Sequence, residues 1–319
     1  MTSPVISISL AGERALKALH RNAHGNVLSS HATGLYIRLD DGSVLLMHDE
    51  KFGIIPFGLG CAPPPDSDSW KAMSPGGDVG IDNNRKVLRI CSHLFSLADA
   101  LSAQHIFPEI GMAVSPHFFN RGMEKAANYL NSPAKQGIAA SYMLRRDSFF
   151  ACQNPYPPLE NIWENALWKP LQELLACCLL SEMCSDKAEA VVVNLLGLGP
   201  GLTPLADDIL CAFLATSHTM FRFLPSAASE KVLHTIAPAV IKKIDGATSS
   251  HSRPFLESAT AGEQYGIFDF LVAAILSGQD SSVEHALNAT LAIGHSSGSG
   301  YVLGTLLALR AASQSAAGT

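Results

Sequence analysis

Two glycine-rich stretches hold the residues whose types and spacing could do chemistry. In the first, Gly197-Leu198-Gly199-Pro200-Gly201-Leu202-Thr203-Pro204 runs into Leu205-Ala206-Asp207-Asp208. Thr203 suits a helix N-cap, and Pro204 the first helical position, where a missing N–H costs nothing. A glycine loop feeding a helix start leaves backbone N–H groups aimed at whatever fills the loop, which suits an oxyanion, a carbonyl or a carboxylate. The dinucleotide fingerprint does not fit, because Gly197-x-Gly199 would need glycine where Leu202 stands. Nor does a Gly-Lys-[Ser/Thr] follow to make a phosphate loop. The plain alternative is that three glycines let a loop pass close to a helix.

The acids favour a site. Asp207 and Asp208 are the only formally charged residues between Glu189 and Arg222, and Leu205, Ile209, Leu210, Phe213 and Leu214 surround them on a helix apolar on every side. Such a helix is expected to be buried. Neighbouring helical residues point about 100° apart, so both carboxyls can hardly face water, and a buried unpaired carboxylate is costly. Compensation of the helix dipole explains one acid better than two. The acid that faces the Gly197–Gly201 loop is expected to be the essential one.

The second stretch is Gly294-His295-Ser296-Ser297-Gly298-Ser299-Gly300, leading into the apolar run Tyr301–Leu309. Gly294-x-Ser296-x-Gly298 matches a nucleophile elbow in form, but no Asp, Glu or His follows Ser297 to complete a hydrolase triad. What remains is a second helix start with hydroxyl donors and His295. A lone loop histidine more often caps or packs than catalyses. Gly300 and Gly304, one turn apart, would permit close helix packing.

The elements that position these loops fall into two groups. Leu35–Leu39 and Val44–Met47 flank Asp40-Asp41-Gly42-Ser43 and predict a hairpin, with Asp41-Gly42 suited to a type I′ turn. Cys61–Gly77 reads as a proline-rich surface loop, and Lys86–Leu94 as a further strand. After about Phe107-Pro108 the periods turn helical: Leu159–Met183 with a break or kink at Pro170, then Pro204–Phe221, Ser226–Ile244, Gln264–Leu276, Ser281–Ile293 and Ser297–Ala312, with a frayed tail from Ala311. The expectation is an α+β chain, with a β-rich domain over 1–115 and a mainly helical domain over 116–319 that carries both glycine loops.

Composition bounds the partners. Of 319 residues, 47% are apolar and 16% charged, against about 25% charged in an average chain, so a large share must be buried. A net charge of −6 without a Lys/Arg cluster excludes a nucleic-acid footprint. No stretch reaches the ~20 apolar residues of a membrane span and no signal peptide is visible, so a soluble, cytoplasmic protein is expected. Seven cysteines without a Cys-x-x-Cys pair read as buried reduced thiols.

Gly197–Asp208 resembles the G-x-G-P-G-L-T-P-S-G-D-D signature, and Gly294–Gly298 the G-H-S-S-G signature, of the AllH-like family, a subunit of oxamate carbamoyltransferase. The resemblance is clearest over about the last 120 residues, takes in Thr248–Gly262, and is fainter in the β-rich third. Leu205-Ala206 stands for the family's Ser-Gly, and Ile55-Pro56-Phe57 for its Asn-Gly-Pro-Phe. The resemblance implies a multisubunit enzyme with FdrA-like and AllG-like partners that moves a carbamoyl group between oxalurate, or a related ureido acid, and phosphate, giving oxamate and carbamoyl phosphate. Asp207, Asp208 and His295 are then the catalytic candidates, and Gly197, Gly199, Gly201, Thr203, Thr248, Ser296, Ser297 and Gly298 the substrate-binding ones. A carbamoyl carbon attacked by phosphate needs N–H donors for its oxygen, acceptors for its NH₂ and a proton for the leaving nitrogen, which His295 could give. No nucleotide or nicotinamide cofactor is implied. Paired Asp oxygens could hold Mg²⁺, but two ligands are an incomplete set. The competing reading is a non-catalytic subunit whose loops dock a partner.

Overall fold

The computed structural model describes residues 5–63, 69–103, 115–132, 137–179 and 184–316. The middle of the proline-rich stretch, the change of pattern at Phe107-Pro108 and the end of the Leu159–Met183 segment lie outside the described residues. The chain divides into two compact units, 1–107 and 108–319.

The first unit comprises β1 (Val5–Gly12), α1 (Glu13–Arg21), β2 (His24–His31), β3 (Gly34–Leu39), β4 (Val44–Asp49), β5 (Gly58–Cys61), α2 (Ser69–Ala72), β6 (Asp78–Asp82), β7 (Val87–Ile90), β8 (His93–Ser96) and β9 (Leu101–Ala103). The strands run β5-β4-β3-β2-β6-β7-β8-β1, and antiparallel pairing of β1 with β5 closes them into a barrel, with β9 parallel beside β1. Alternation fills the core: Leu35, Ile37 and Leu39 of β3 are buried while Arg38 is exposed. Ala15, Ala18 and Leu19 of α1 add to that core.

Two local readings need correction. The β3–β4 turn is not type I′, which requires left-handed backbone at both central residues; only Gly42 has it, at φ +83°, while the Gly42 N–H donates to the Leu39 carbonyl at 2.9 Å. A tight turn followed by one left-handed residue is the longer-loop solution. Lys86–Leu94 is not one strand but parts of two, β7 and β8, reversed at Cys91, whose φ of +52° ends the first.

The second unit comprises α3 (Pro116–Leu130), α4 (Ile138–Leu144), α5 (Arg146–Phe150), α6 (Ile162–Leu179), α7 (Ser185–Leu195), α8 (Leu205–Phe223), α9 (Ala227–Lys231), a π turn over Val232–Ile236, α10 (Ala237–Lys243), α11 (Arg253–Ala259), α12 (Gly266–Ser277), α13 (Asp280–Leu291) and α14 (Ser297–Ala316). Strands in one unit and helices in the other make the chain α+β. Pro170 does not break α6; buried Leu167, Trp168, Leu171 and Leu174 hold both sides of it in place despite the lost backbone bond. Ser226–Ile244 is three helical pieces, widened to a π turn just before Pro238, which has no N–H to give. The expected frayed tail is helical as far as Ala316.

The scaffold of the glycine loops is the pair α8 and α14. Helix α8 is buried along most of its length. A Cβ on Gly304 would stand 2.2 Å from the Ile209 carbonyl oxygen, so α14 meets α8 backbone to backbone. No described helix is long and apolar enough to cross a membrane. All seven cysteines are unpaired thiols; Cys61, Cys177, Cys178 and Cys211 are buried, whereas Cys152 and Cys184 are exposed, contrary to the uniform burial expected.

Candidate functional site

The first loop owes its path to three left-handed glycines, Gly197 (φ +75°), Gly199 (+114°) and Gly201 (+107°), a backbone region that other residues enter at a cost. Thr203 does not cap α8. The helix begins at Leu205 with Pro204 as its N-cap, and no side chain caps it. The first-turn N–H groups are spent within the protein: Ala206 donates to the Leu198 carbonyl at 2.9 Å, and Asp207 and Asp208 both donate to the Pro204 carbonyl. The helix start is therefore not the open anion cradle that the sequence suggests. The N–H groups of Gly199 and Gly201 have no acceptor among the described residues.

The anion in the loop is the protein's own. Asp207, 1% exposed, accepts from the Gly197 N–H at 2.9 Å and from the Thr248 hydroxyl. It thereby ties the loop, α8 and the turn before α11 together. The Ser249 hydroxyl donates to the Leu202 carbonyl and adds a second tie. Burial raises the Asp207 carboxyl above the usual range, while the Gly197 N–H, Thr248 and Ser252 pull it back. The Ser252 hydroxyl, also 1% exposed, stands near enough to favour that charge but completes no hydrogen bond.

Asp208, 4% exposed, faces the other loop. The Thr203 hydroxyl lies 3.4 Å from its Oδ2 and 3.3 Å from the Ser297 hydroxyl, which itself reaches Asp208. Gly300 makes room: a Cβ there would lie 3.1 Å from the Asp208 Cβ. Burial lifts the Asp208 carboxyl to about 8; Ser297 and Thr203 oppose the rise and the neighbouring Asp207 adds to it. Beside Asp208, the Cys211 thiol and the Tyr301 hydroxyl are hydrogen-bonded, both pushed well up by burial and so neutral. Tyr301 is walled in by Phe268, stacked at 3.7 Å between centroids.

The structure thus brings together Gly197, Thr203, Asp207, Asp208, Thr248 and Ser297. Ser296 is half-buried at the same turn and accepts from the Gly300 N–H. Gly298 gives its N–H to the Ile293 carbonyl, and a Cβ on it would meet the Thr290 carbonyl at 2.0 Å, so it closes the turn. His295 is exposed, and no hydrogen bond joins it to either acid. Sequence reasoning missed Ser252, Cys211 and Tyr301; the hydroxyl-rich run Thr248–Ser252 and the i, i+3 spacing of Asp208 and Cys211 were the available signals.

Residues 195–309 match the family model described as oxamate carbamoyltransferase subunit AllH. The resemblance to the AllH-like family holds over this third of the chain, which contains both glycine loops, the turn at Thr248 and all of α8. The matched segment is thus the segment that encloses the two acids. No curated protein and no solved structure matches the chain. Among the described residues, no group of three or more His, Cys, Asp or Glu is placed to hold a metal ion.

Proposed function

We propose that this chain is a subunit of an oxamate carbamoyltransferase-like enzyme, and that the two glycine loops around Asp207 and Asp208 handle the carbamoyl group passed between oxalurate, or a related ureido acid, and phosphate. The observation that carries this reading is the convergence of both glycine loops of the AllH segment on one buried acid pair. The unpaired Gly199 and Gly201 N–H groups suit the carbamoyl oxygen, and the hydroxyls of Thr203, Ser296 and Ser297 suit its NH₂. His295, exposed at the second loop, would face a substrate's outer end.

The acid pair argues for partners. Among the described residues neither acid has an ion pair. Phosphate and a ureido carboxylate would bring several negative charges to two acids that no described cation neutralises. The cationic groups then come from other subunits, the FdrA-like and AllG-like partners, in a cytoplasmic complex. Mg²⁺ held in part by the substrates would supply the same charge.

The test is carbamoyl phosphate formation from oxalurate and phosphate by the co-purified complex. Loss of turnover with Asp208→Asn in an intact complex supports the reading. Unchanged turnover supports the competing one, a docking subunit whose acids only shape the fold.

A further inference from the structure

Resting on the carbamoyl-transfer reading, we propose that Asp208 is the source of the proton taken up by the leaving nitrogen, and that the Ser297 hydroxyl, with Thr203 beside it, carries that proton from the buried carboxyl to the half-exposed rim of the two glycine loops. Asp208 itself is 4% exposed and cannot touch a substrate freely, while Thr203 and Ser297 are half-exposed. The three oxygens form one connected set, with 3.4 Å from Thr203 to Asp208 and 3.3 Å from Thr203 to Ser297. His295 has no such connection to a buried proton store. The Ser252 hydroxyl, more than nine-tenths buried and without a completed hydrogen bond, marks the Asp207 side of the acid pair as still short of one partner.

The surroundings keep the proton on Asp208 until it is needed. The titratable groups facing it are Asp207 and Cys211 on α8 and Tyr301 on α14. None is a cation, the thiol and phenol are neutral, and Asp207 accepts from the Gly197 N–H and the Thr248 hydroxyl, donors that favour its charge. Two adjacent carboxyls in low dielectric do not both ionise readily, and the one with the better donors takes the charge. A carboxyl titrating near 8 suits proton transfer at neutral pH.

The step balances within the reaction itself. A phosphate oxygen bonds to the carbamoyl carbon and the carbon–nitrogen bond breaks, its electron pair staying on nitrogen. That nitrogen takes the Ser297 hydroxyl proton while Ser297 takes the proton of Asp208. The proton that hydrogen phosphate loses on attack returns through the same hydroxyls to the Asp208 carboxylate. No proton is consumed overall.

Two measurements test this. Infrared difference spectra of the full chain between pH 6 and pH 9.5 should contain a protonated-carboxyl C=O band that vanishes at the higher pH, is absent from Asp208→Asn and remains in Ser297→Ala. In the assembled complex, Ser297→Ala should lower kcat by at least about tenfold with little change in KM, and Ser297→Thr should restore most of it. The residual kcat of Asp208→Asn, strongly reduced, should have no alkaline limb. A missing band, a band that survives Asp208→Asn, an unaltered kcat in Ser297→Ala, or an alkaline limb that moves with His295→Ala overturns the proposal. A wild-type complex without carbamoyl transfer overturns the reaction reading as well. The spectra separate these failures, because they need no substrate.

Discussion

The hydroxyls of Thr203 and Ser297 stand 3.3 Å apart although 94 positions separate them in the chain. Each belongs to a glycine loop that precedes a helix, and the close packing of α8 on α14 brings the two helix starts level. The contact therefore reports on the whole arrangement: if the helices slide, the hydroxyls part. It also divides the acid pair. Asp208 belongs to this contact between loops, while Asp207 belongs to the bond between the first loop and the turn at Thr248.

That division predicts different phenotypes for neighbouring substitutions. Asp207→Asn must present an amide NH₂ where one oxygen now accepts from Gly197 or Thr248, leaving a buried donor unpaired at about 1–3 kcal/mol. Asp208→Asn replaces a carboxyl that is neutral below about pH 8 with a group of the same shape and no charge. Urea unfolding at pH 7 should therefore give a lower midpoint for Asp207→Asn and a midpoint above wild type for Asp208→Asn, because at that pH the unfolded wild-type chain gains by releasing the Asp208 proton and the Asn variant has none to release. The sequence expectation for the acid that faces the glycine loop is lost activity with little lost stability, so turnover and urea midpoint measured together on Asp207→Asn decide between a catalytic and a positioning role.

Gly197→Ala should act through the same bond. The backbone there is left-handed at φ +75°, and a Cβ would stand 2.4 Å from the Ala247 carbonyl oxygen. Strain plus displacement of the Thr248 turn should cost about 1–3 kcal/mol. Because Gly197 also donates to Asp207, the raised carboxyl of Asp207 should rise further. Thermal melting reads the first effect, and amide exchange at residue 197 the second. A wild-type Tm would mean that the loop accommodates a side chain and that the close approach to Ala247 is not fixed.

The acids and both loops were legible in the sequence because glycine, proline and isolated charge are strong local signals. Their contacts were not. Thr203 looked like a cap because Thr before Pro usually is one, yet its hydroxyl turns to Ser297, a partner that no local rule can supply. The first-turn N–H groups looked free because helix starts generally leave donors open, and only the fold of the loop back to Leu198 uses them. In the first unit, the β3–β4 hairpin was readable from alternation, whereas barrel closure depends on β1 pairing with β5, fifty positions away in sequence. Helices α3, α4, α5 and α7 were not singled out; in α3 the buried face Phe119, Gly122, Ala126, Ala127 and Leu130 does have helix spacing, but glycine and alanine give it little apolar contrast.

Gly304→Ala should destabilise the chain, although the same change inside an exposed helix usually gains about 1 kcal/mol. The added Cβ would lie 2.2 Å from the Ile209 carbonyl oxygen and 2.9 Å from the Ala212 Cβ. Backbone cannot yield as a side-chain tip can, so α14 must move off α8, at about 1–3 kcal/mol. The displacement should also part Thr203 from Ser297 and lower activity of the complex out of proportion to the loss of stability. Chemical denaturation with parallel turnover measurements checks both halves. A more stable variant would show that the helices are not in backbone contact at this position.

The stability of the chain should fall as pH rises through the neutral range, and Asp208 should be a main cause. In the unfolded chain an aspartate releases its proton near 3.8, but in the folded protein burial holds that proton to about 8. Between these values the native state binds more protons than the unfolded state, so unfolding becomes easier with each step up in pH. Below the lower value both states are protonated and the contribution is complete; above the higher one both are ionised and it is gone. Asp207, also raised by burial, bends the curve the same way, and the two titrate as a coupled pair. Asp208→Asn cannot ionise in either state. Urea midpoints compared at pH 5 and pH 8.5 should therefore drop further in wild type than in Asp208→Asn, and the two proteins should differ most at the higher pH. Parallel curves for the two proteins would mean that Asp208 is ionised in the native state at neutral pH, and with it the proton store that the Ser297 route draws upon would be lost.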